Sequence, residues 1–324
     1  MRIVDAILSL DIGGTKIAAA LMTRDGVLLS KRRAPSMADQ GPGRMIERLL
    51  DLCRQVEAEA GAPFCAAGIS CGGPLDPVAG VVLSPPNLPG WDRTPLRTMI
   101  AAGLALPPHR VHVENDASAG ALAELRFGAA RGCMHAVYLT MSTGIGGGLI
   151  LDGRLYRGAS FNAGEVGHQV VLPDGPLCGC GKRGCLEAVA SGSGIAARLQ
   201  ERFDTLSPRL RQSADASGRV TAEGLIDAVR EGDRVAIEFF EETVALLARG
   251  IANLVFILNP QIIILGTIAR HAGQTLLAPL REHVGRMCWP VMTTGLEIVA
   301  SPLGSRLEEL SGLAVALEAE TPAP

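Results

Sequence analysis

Aromatic side chains are scarce in this 324-residue chain: two Trp, two Tyr and seven Phe, 3% of the total. A surface that stacks successive bases needs several of them together, so a single-strand nucleic-acid binder is disfavoured. An excess of charge of either sign is also missing. Thirty Lys and Arg against 33 Asp and Glu leave a formal net charge of −3, which gives no basic field to hold a nucleic acid or an anionic membrane. Charged residues make up only 19% and apolar ones 48%, which argues against disorder. The length suggests about two domains.

Several familiar signatures are lacking too. No G-x-x-x-x-G-K-[S/T] occurs, so there is no P-loop. Gly144-x-Gly146 is followed by a strand where a dinucleotide fingerprint requires a helix. No Ser-His-Asp arrangement stands out, and His109, His112, His135, His271 and His283 have no motif around them. The opening Met1–Asp11 is interrupted by Asp5 and Asp11, has no cleavage-like pattern, and reads as a first strand instead of a leader. One uncharged run, residues 250–269, reaches the length of a membrane span. Asn253, Asn259, Pro260 and Gln261 break it, and Asn-Pro marks a turn. The run therefore predicts a buried helix ending near Leu258 and a buried strand over 262–265. The expectation is a soluble, cytoplasmic chain.

What is plentiful is glycine (39) and proline (20), the residues of tight turns and close backbone approaches. The first thirty residues read strand, glycine turn (Gly13-Gly14-Thr15), strand, Asp25-Gly26 hairpin, strand. Residues 136–156 repeat that order: a strand, the turn Thr143-Gly144-Ile145-Gly146-Gly147-Gly148, a strand, Asp152-Gly153 and a strand. Two halves with one opening suggest a duplicated α/β unit with a ligand between them. Apolar residues at helical spacing predict a helix over about 43–60. A strand is expected over 65–70, and another at 111–113 ends at Glu114-Asn115-Asp116 and leads into an Ala-rich helix to about Phe127. Further helices are expected around 186–200, 221–230, 233–257, 275–286 and 307–318, with a last strand at 296–300.

Three groups of residues could carry chemistry. Asp11-Ile12-Gly13-Gly14-Thr15-Lys16 combines exposed backbone N–H groups with a carboxylate, a hydroxyl and an ammonium, the groups that hold Mg²⁺ and terminal phosphates; a plain hairpin is the alternative. Asn115 and Asp116 end a buried strand and begin a helix. They fit a ligand site at a sheet's C-terminal edge, or a simple N-cap. The sharpest group is His168 with Cys178, Cys180 and Cys185. Of eight cysteines, five are scattered through apolar segments and three fall within eight residues. Three thiolates and one imidazole make a closed tetrahedral Zn²⁺ site, structural in role. Glu165 and Glu187 flank these ligands, and zinc would pin both; Glu187 also suits the first turn of a helix.

Taken together the motifs resemble the ROK family (repressors, open reading frames and sugar kinases). The matching stretches are Asp11–Lys16, GISCGGP at 68–74, ENDASA at 114–119, STGIGGG at 142–148, GEVGH at 164–168 and CGCGKRGCLE at 178–187. They stand in family order across most of the chain. The resemblance implies an α/β, two-domain, actin-like ATPase fold, a ribonuclease H-like duplication with a structural zinc loop, closing on ATP and sugar in its cleft. Residues 1–114 with about 305–324 would form a small α/β domain, and 115–304 a large one carrying the zinc loop 168–187.

The resemblance also implies roles. Asp11, Gly13, Gly14, Thr15 and Lys16 match the first phosphate segment, and Thr143, Gly144, Gly146 and Gly147 the second. Gly266 stands in the adenosine segment, Leu265-Gly266-Thr267-Ile268, where many members carry consecutive glycines. Asp116 matches the catalytic base. Asn115, Asp116, Glu165, His168 and Glu187 match sugar-binding positions, with Gly73 and Asn87 as further candidates. Ser118 replaces the second Asn that many members carry after the Asn-Asp pair. The implied activity is ATP-dependent phosphorylation of a hexose 6-hydroxyl, with Mg²⁺ accompanying ATP. Glucose is the first expectation, since Asn87-Leu88-Pro89-Gly90-Trp91 resembles glucokinase-like members; N-acetylmannosamine or N-acetylglucosamine is the alternative. A sugar-responsive regulator or sensor is a different class. Regulators of the family carry a helix-turn-helix before the first phosphate segment, whereas here Asp11 follows only ten residues. A homodimer or homotetramer is expected, without nucleic-acid or membrane partners.

Overall fold

The computed structural model describes residues 6–320; the first five residues of the expected opening strand lie outside the described residues. The chain forms two compact units. Among the described residues, the first takes in everything up to Arg131, then Leu155–Ala163, then everything from Ser305 on, and the second takes in Gly132–Arg154 and Gly164–Gly304.

In the first unit, β1 (Ala6–Ile12), β2 (Lys16–Met22) and β3 (Leu28–Pro35) make an antiparallel meander. β4 (Phe64–Cys71) follows, then a small hairpin of β5 (Leu75–Asp76) and β6 (Val81–Val82), then β7 (Val111–Asn115). β1, β4 and β7 run parallel, and the sheet order is β3-β2-β1-β4-β7. These three strands end in step, Ile12 beside Cys71 and Cys71 beside Asn115. The helix Gly41–Ala60 starts with Pro42 in its first turn and stops at Gly61 in the left-handed region (φ 59°). Its buried stripe is Met45, Ile46, Leu49, Leu52, Cys53 and Val56, which departs from the expected spacing only in burying Leu52 while Leu50 is half-buried. Helix Asp116–Phe127 packs against helix Leu307–Ala319, so the first unit runs on past residue 114 to take it in.

Helix Leu307–Ala319 lies directly on the strand backbone. A Cβ at Gly68 of β4 would stand 1.9 Å from Gly312 O, and one at Gly312 would stand 2.6 Å from Gly68 O. Only glycine at both positions lets helix and sheet come this close.

The second unit repeats the plan. β8 (Ala136–Leu139) is antiparallel to β9 (Gly147–Leu151), β10 (Arg154–Leu155) lies beyond β9, and β11 (Ile262–Leu265) and β12 (Glu297–Ala300) run parallel to β8. The order β10-β9-β8-β11-β12 matches the first sheet strand for strand, which is the duplication that the two glycine turns suggested. The uncharged run forms the end of helix Arg234–Leu258, closed by Asn259 in the left-handed region (φ 43°), and then β11. Among the described residues no helix is long and apolar enough to cross a membrane.

Some local expectations change. The helix read around 186–200 is two helices, Leu186–Ala190 and Gly192–Glu201, because Ser191 is extended and its side chain accepts from Gly194 N to cap the second. Pro/Gly-rich residues after β4 hide a hairpin and the helix Leu96–Gly103. Replacing Gly68 by Ala should destabilise the first unit by about 3 kcal/mol, since backbone must move to admit the methyl group. Urea denaturation checks this, and an unchanged midpoint would contradict the close seating of the helix.

Candidate active site

The C-terminal edge of β1, β4 and β7 gathers the first set of residues. Asp11 pairs with Ser70, and Ser70 with Glu114, across the three strands. Asn115 and Asp116 follow at the start of their helix, at the edge where parallel sheets bind ligands. Asn115 is indeed an N-cap: Oδ1 accepts from Ala117 N at 2.9 Å and Ser118 N at 3.2 Å. Capping uses only its oxygen, so the N-cap and ligand readings are compatible. Asp116 Oδ1 accepts from Ala117 N at 2.8 Å, and its side chain is exposed. Gly73 lies against Asn115; a Cβ there would meet Nδ2 at 2.8 Å. The glycine turn closes through Gly13 N donating to Lys16 O at 3.0 Å. Gly14 abuts the Asn87 backbone, with 2.8 Å from a Cβ position to Asn87 O. The first unit thus brings together Asp11–Lys16, Gly73, Asn87, Asn115 and Asp116.

Charge at this edge is unevenly balanced. Burial, and then the charges of Glu308 and Asp116, push the Asp11 carboxyl up to about 7, against the pull of Lys16 and a hydrogen bond from Ser70. Glu308, from the last helix, is opposite in character. Burial would raise it, but Lys16 (Nζ–Oε1 2.7 Å) and Lys31 (Nζ–Oε2 2.6 Å) bring it down to about 2. Arg33 Nε also donates to Oε2 at 2.7 Å. Sequence reading missed Glu308 because it lies 292 positions after Lys16, in a helix that reads only as apolar and Leu-rich.

The second unit gathers the rest. In the turn after β8, Thr140 N donates to Gly146 O (3.0 Å) and Gly146 N to Thr140 Oγ1 (2.9 Å). Three neighbours brace this turn. Glu187 Oε2 accepts from Ile145 N at 3.0 Å, Gly164 O accepts from Gly147 N at 2.8 Å, and Ser193 Oγ donates to Thr143 O at 2.7 Å. Gly144 lies against Glu187, where a Cβ would stand 2.5 Å from Oε2. Glu187, expected as a sugar contact, therefore holds the second glycine turn in place. Gly266 packs on the same turn, since a Cβ there would stand 1.9 Å from Thr140 O. Glu165 and His168 sit on one short turn, with His168 Nε2 3.8 Å from Glu165 Oε2.

The ligand atoms of His168, Cys178, Cys180 and Cys185 all lie within 4.8 Å of one another. Around a tetrahedral Zn²⁺ with Zn–S of about 2.3 Å, neighbouring sulfurs stand about 3.8 Å apart and sulfur and nitrogen about 3.6 Å. Here Cys180 Sγ and Cys185 Sγ are 3.7 Å apart, and Cys178 Sγ and His168 Nδ1 3.6 Å. The donor set and spacing fit zinc. With Nδ1 turned to the thiolates, Nε2 of His168 is left on the Glu165 side.

Two mixed sheets of one plan, each with a glycine turn after its first strand, carry a carboxyl-rich edge in one unit and a cluster of three cysteines and a histidine in the other. The chain belongs to the ROK family, whose model matches residues 7–306. It is 38% identical to the glucokinase of Thermotoga maritima over 92% of each chain. It is 35% identical to the N-acetylmannosamine kinase of Escherichia fergusonii over 80% of this chain and 81% of that one. Among solved structures it is similar to a ROK family glucokinase from Streptomyces griseus in complex with glucose and AMPPNP, with a TM-score of 0.81 and 31% identity, covering 96% of this chain and 98% of that one.

Carboxyl carbon NMR should show Asp11 titrating at about 7. In Glu308→Gln the midpoint should move down, because a raising charge is gone and Lys16 is freed. A wild-type midpoint at the ordinary value of about 4, or no movement in the variant, would contradict this charge balance.

Proposed function

We propose that the chain is an ATP-dependent kinase of hexoses with glucose as the preferred acceptor, built on the actin-like, ribonuclease H-related plan. The observation that carries this reading is the convergence of Asp11, Asn115 and Asp116 at one edge of the first sheet. The similarity to glucokinases over more than nine-tenths of the chain supports it. N-acetylmannosamine is the second acceptor to test, since a kinase of that sugar is nearly as similar.

In this reading Asp116 takes the proton of the 6-hydroxyl as that oxygen attacks the γ-phosphorus. The bond to the β,γ-bridging oxygen breaks and ADP leaves. Such a transfer needs positioning and charge stabilisation more than covalent chemistry. In the first unit Asn115, through its Nδ2, is the candidate for a sugar hydroxyl, with Gly73 and Asn87 walling that edge; in the second unit the sugar-binding candidates are Glu165, His168 and Glu187. The N–H groups of Gly13–Lys16 and of Thr143–Gly147 cradle phosphates, and Gly266 borders the adenosine. Mg²⁺ arrives with ATP as part of the substrate, and Asp11, a half-buried carboxylate among like charges, suits a cation there. Zinc on His168, Cys178, Cys180 and Cys185 would be structural, fixing His168 Nε2 and the first turn that bears Glu187. None of the eight cysteines forms a disulfide, which fits a reducing cytoplasm. A homodimer or homotetramer remains part of the reading; exposed Ile257, Trp289 and Val291 offer a surface for a second copy to cover.

In Asp116→Asn, kcat should fall about a thousandfold, with glucose affinity by calorimetry little changed; near-normal turnover would remove Asp116 as the base. Cys180→Ser should lose zinc by elemental analysis and raise the KM for sugar at least about tenfold. Loss of zinc with an unchanged KM would separate the metal from the pocket.

A further inference from the structure

Within the first unit a second buried ion pair stands one residue from Asn115. Glu114 is 3% exposed, and Arg157 Nε donates to its Oε2 at 2.7 Å. Its other oxygen accepts from the backbone N–H of Asn115 at 3.0 Å. β7 is the edge strand of its sheet, and this carboxylate completes the hydrogen bonding of the strand's last residue. Asn115 is thereby held at both ends, by Glu114 at its N–H and through Oδ1 at Ala117 N and Ser118 N. Asp116 is the next residue. Arg157 lies in Leu155–Ala163, a segment that leaves the second unit, joins the first and returns to it at Gly164. A backbone bond from Ala163 N to Arg157 O, 3.1 Å, closes that segment into a loop. The residue after Gly164 is Glu165.

We infer that Arg157 is a positioning residue for phosphoryl transfer. By holding the Glu114 carboxyl against the Asn115 N–H, it sets the angle at which Asn115 and Asp116 meet the sugar hydroxyl. This rests on the kinase reading above. Without Arg157, Glu114 is a buried carboxylate that has lost the guanidinium paired with it, and it either takes up a proton or turns towards water. Either response alters its bond to Asn115. Misplacing a reacting group by about 1 Å lowers turnover about a hundredfold while leaving distant binding contacts intact.

The test is steady-state kinetics of the full chain, with unaltered protein and Asp116→Asn run alongside. Arg157→Met should lower kcat for glucose about a hundredfold and leave the KM for ATP unchanged. Arg157→Lys, which keeps the charge, should recover most of the loss. Glu114→Leu/Arg157→Met buries no unpaired charge and leaves the Asn115 N–H without its acceptor, so it keeps the test open if Arg157→Met fails to fold, and its kcat should be as low. Full kcat in either Met-bearing variant overturns the proposal. So does a loss that follows Tm and disappears on cooling, because that marks a structural role only. Hexose-dependent turnover by the unaltered protein, absent in Asp116→Asn but intact in Arg157→Met, would leave the kinase reading standing and remove this inference alone. No hexose-dependent turnover in the unaltered protein would remove both.

Discussion

Buried negative charge at one edge of the first sheet is the constraint around which this unit is arranged. Asp11, Glu114 and Glu308 all lie close to the ends of β1, β4 and β7 or to the helix seated on them, where water screens little. Each is answered differently. Glu308 draws three cations, from β2 and β3, and stays ionised far into acid. Glu114 has one, delivered by a loop from outside the sheet. Asp11 has to share Lys16 with Glu308 and is the one whose proton is held to about 7. A carboxylate left in that condition favours a cation brought by a ligand, as the phosphate role proposed for this edge would need. The close seating of helix Leu307–Ala319 through Gly68 and Gly312 makes the arrangement possible, because it carries Glu308 to within reach of the glycine turn.

The second unit solves a related problem with hydrogen bonds instead of charge pairs. A glycine turn has no side chains to stiffen it, so its shape must come from neighbours. Glu187, Gly164 and Ser193 each fix one peptide of the turn. Glu187 begins a helix directly after Cys185, and Cys185 belongs to the cluster that fits zinc. One ion would thus hold the turn, through Glu187, and His168 together. In this way a structural metal can govern a pocket without any chemistry of its own.

Much of this was legible in the residues. Strong periodicity gave the helices Gly41–Ala60 and Arg234–Leu258 to within about two residues, and apolar runs gave β1, β4 and β11. The pair of glycine turns pointed to a duplication that the identical strand orders bear out. The Cys-x-Cys spacing with its nearby His pointed to one cluster, because ligands so close in sequence have few ways to avoid one another in space. What stayed hidden depends on contacts between distant segments. Glu308 and Arg157 are ordinary charged residues in their own surroundings and gain meaning only against Lys16 and Glu114. Ser191 breaks a helix that propensity would continue, since its hydroxyl offers the next helix a better start. The hairpin β5–β6 is too short for any alternation to register.

Transfer of phosphate to a hexose is the activity on which everything else here depends. ADP release with Mg-ATP, measured on zinc-loaded protein across glucose, mannose, fructose, allose, N-acetylglucosamine and N-acetylmannosamine, addresses that directly. Sugar-dependent turnover with glucose clearly preferred is the predicted result. Silence across the whole panel from folded, zinc-loaded protein would contradict it.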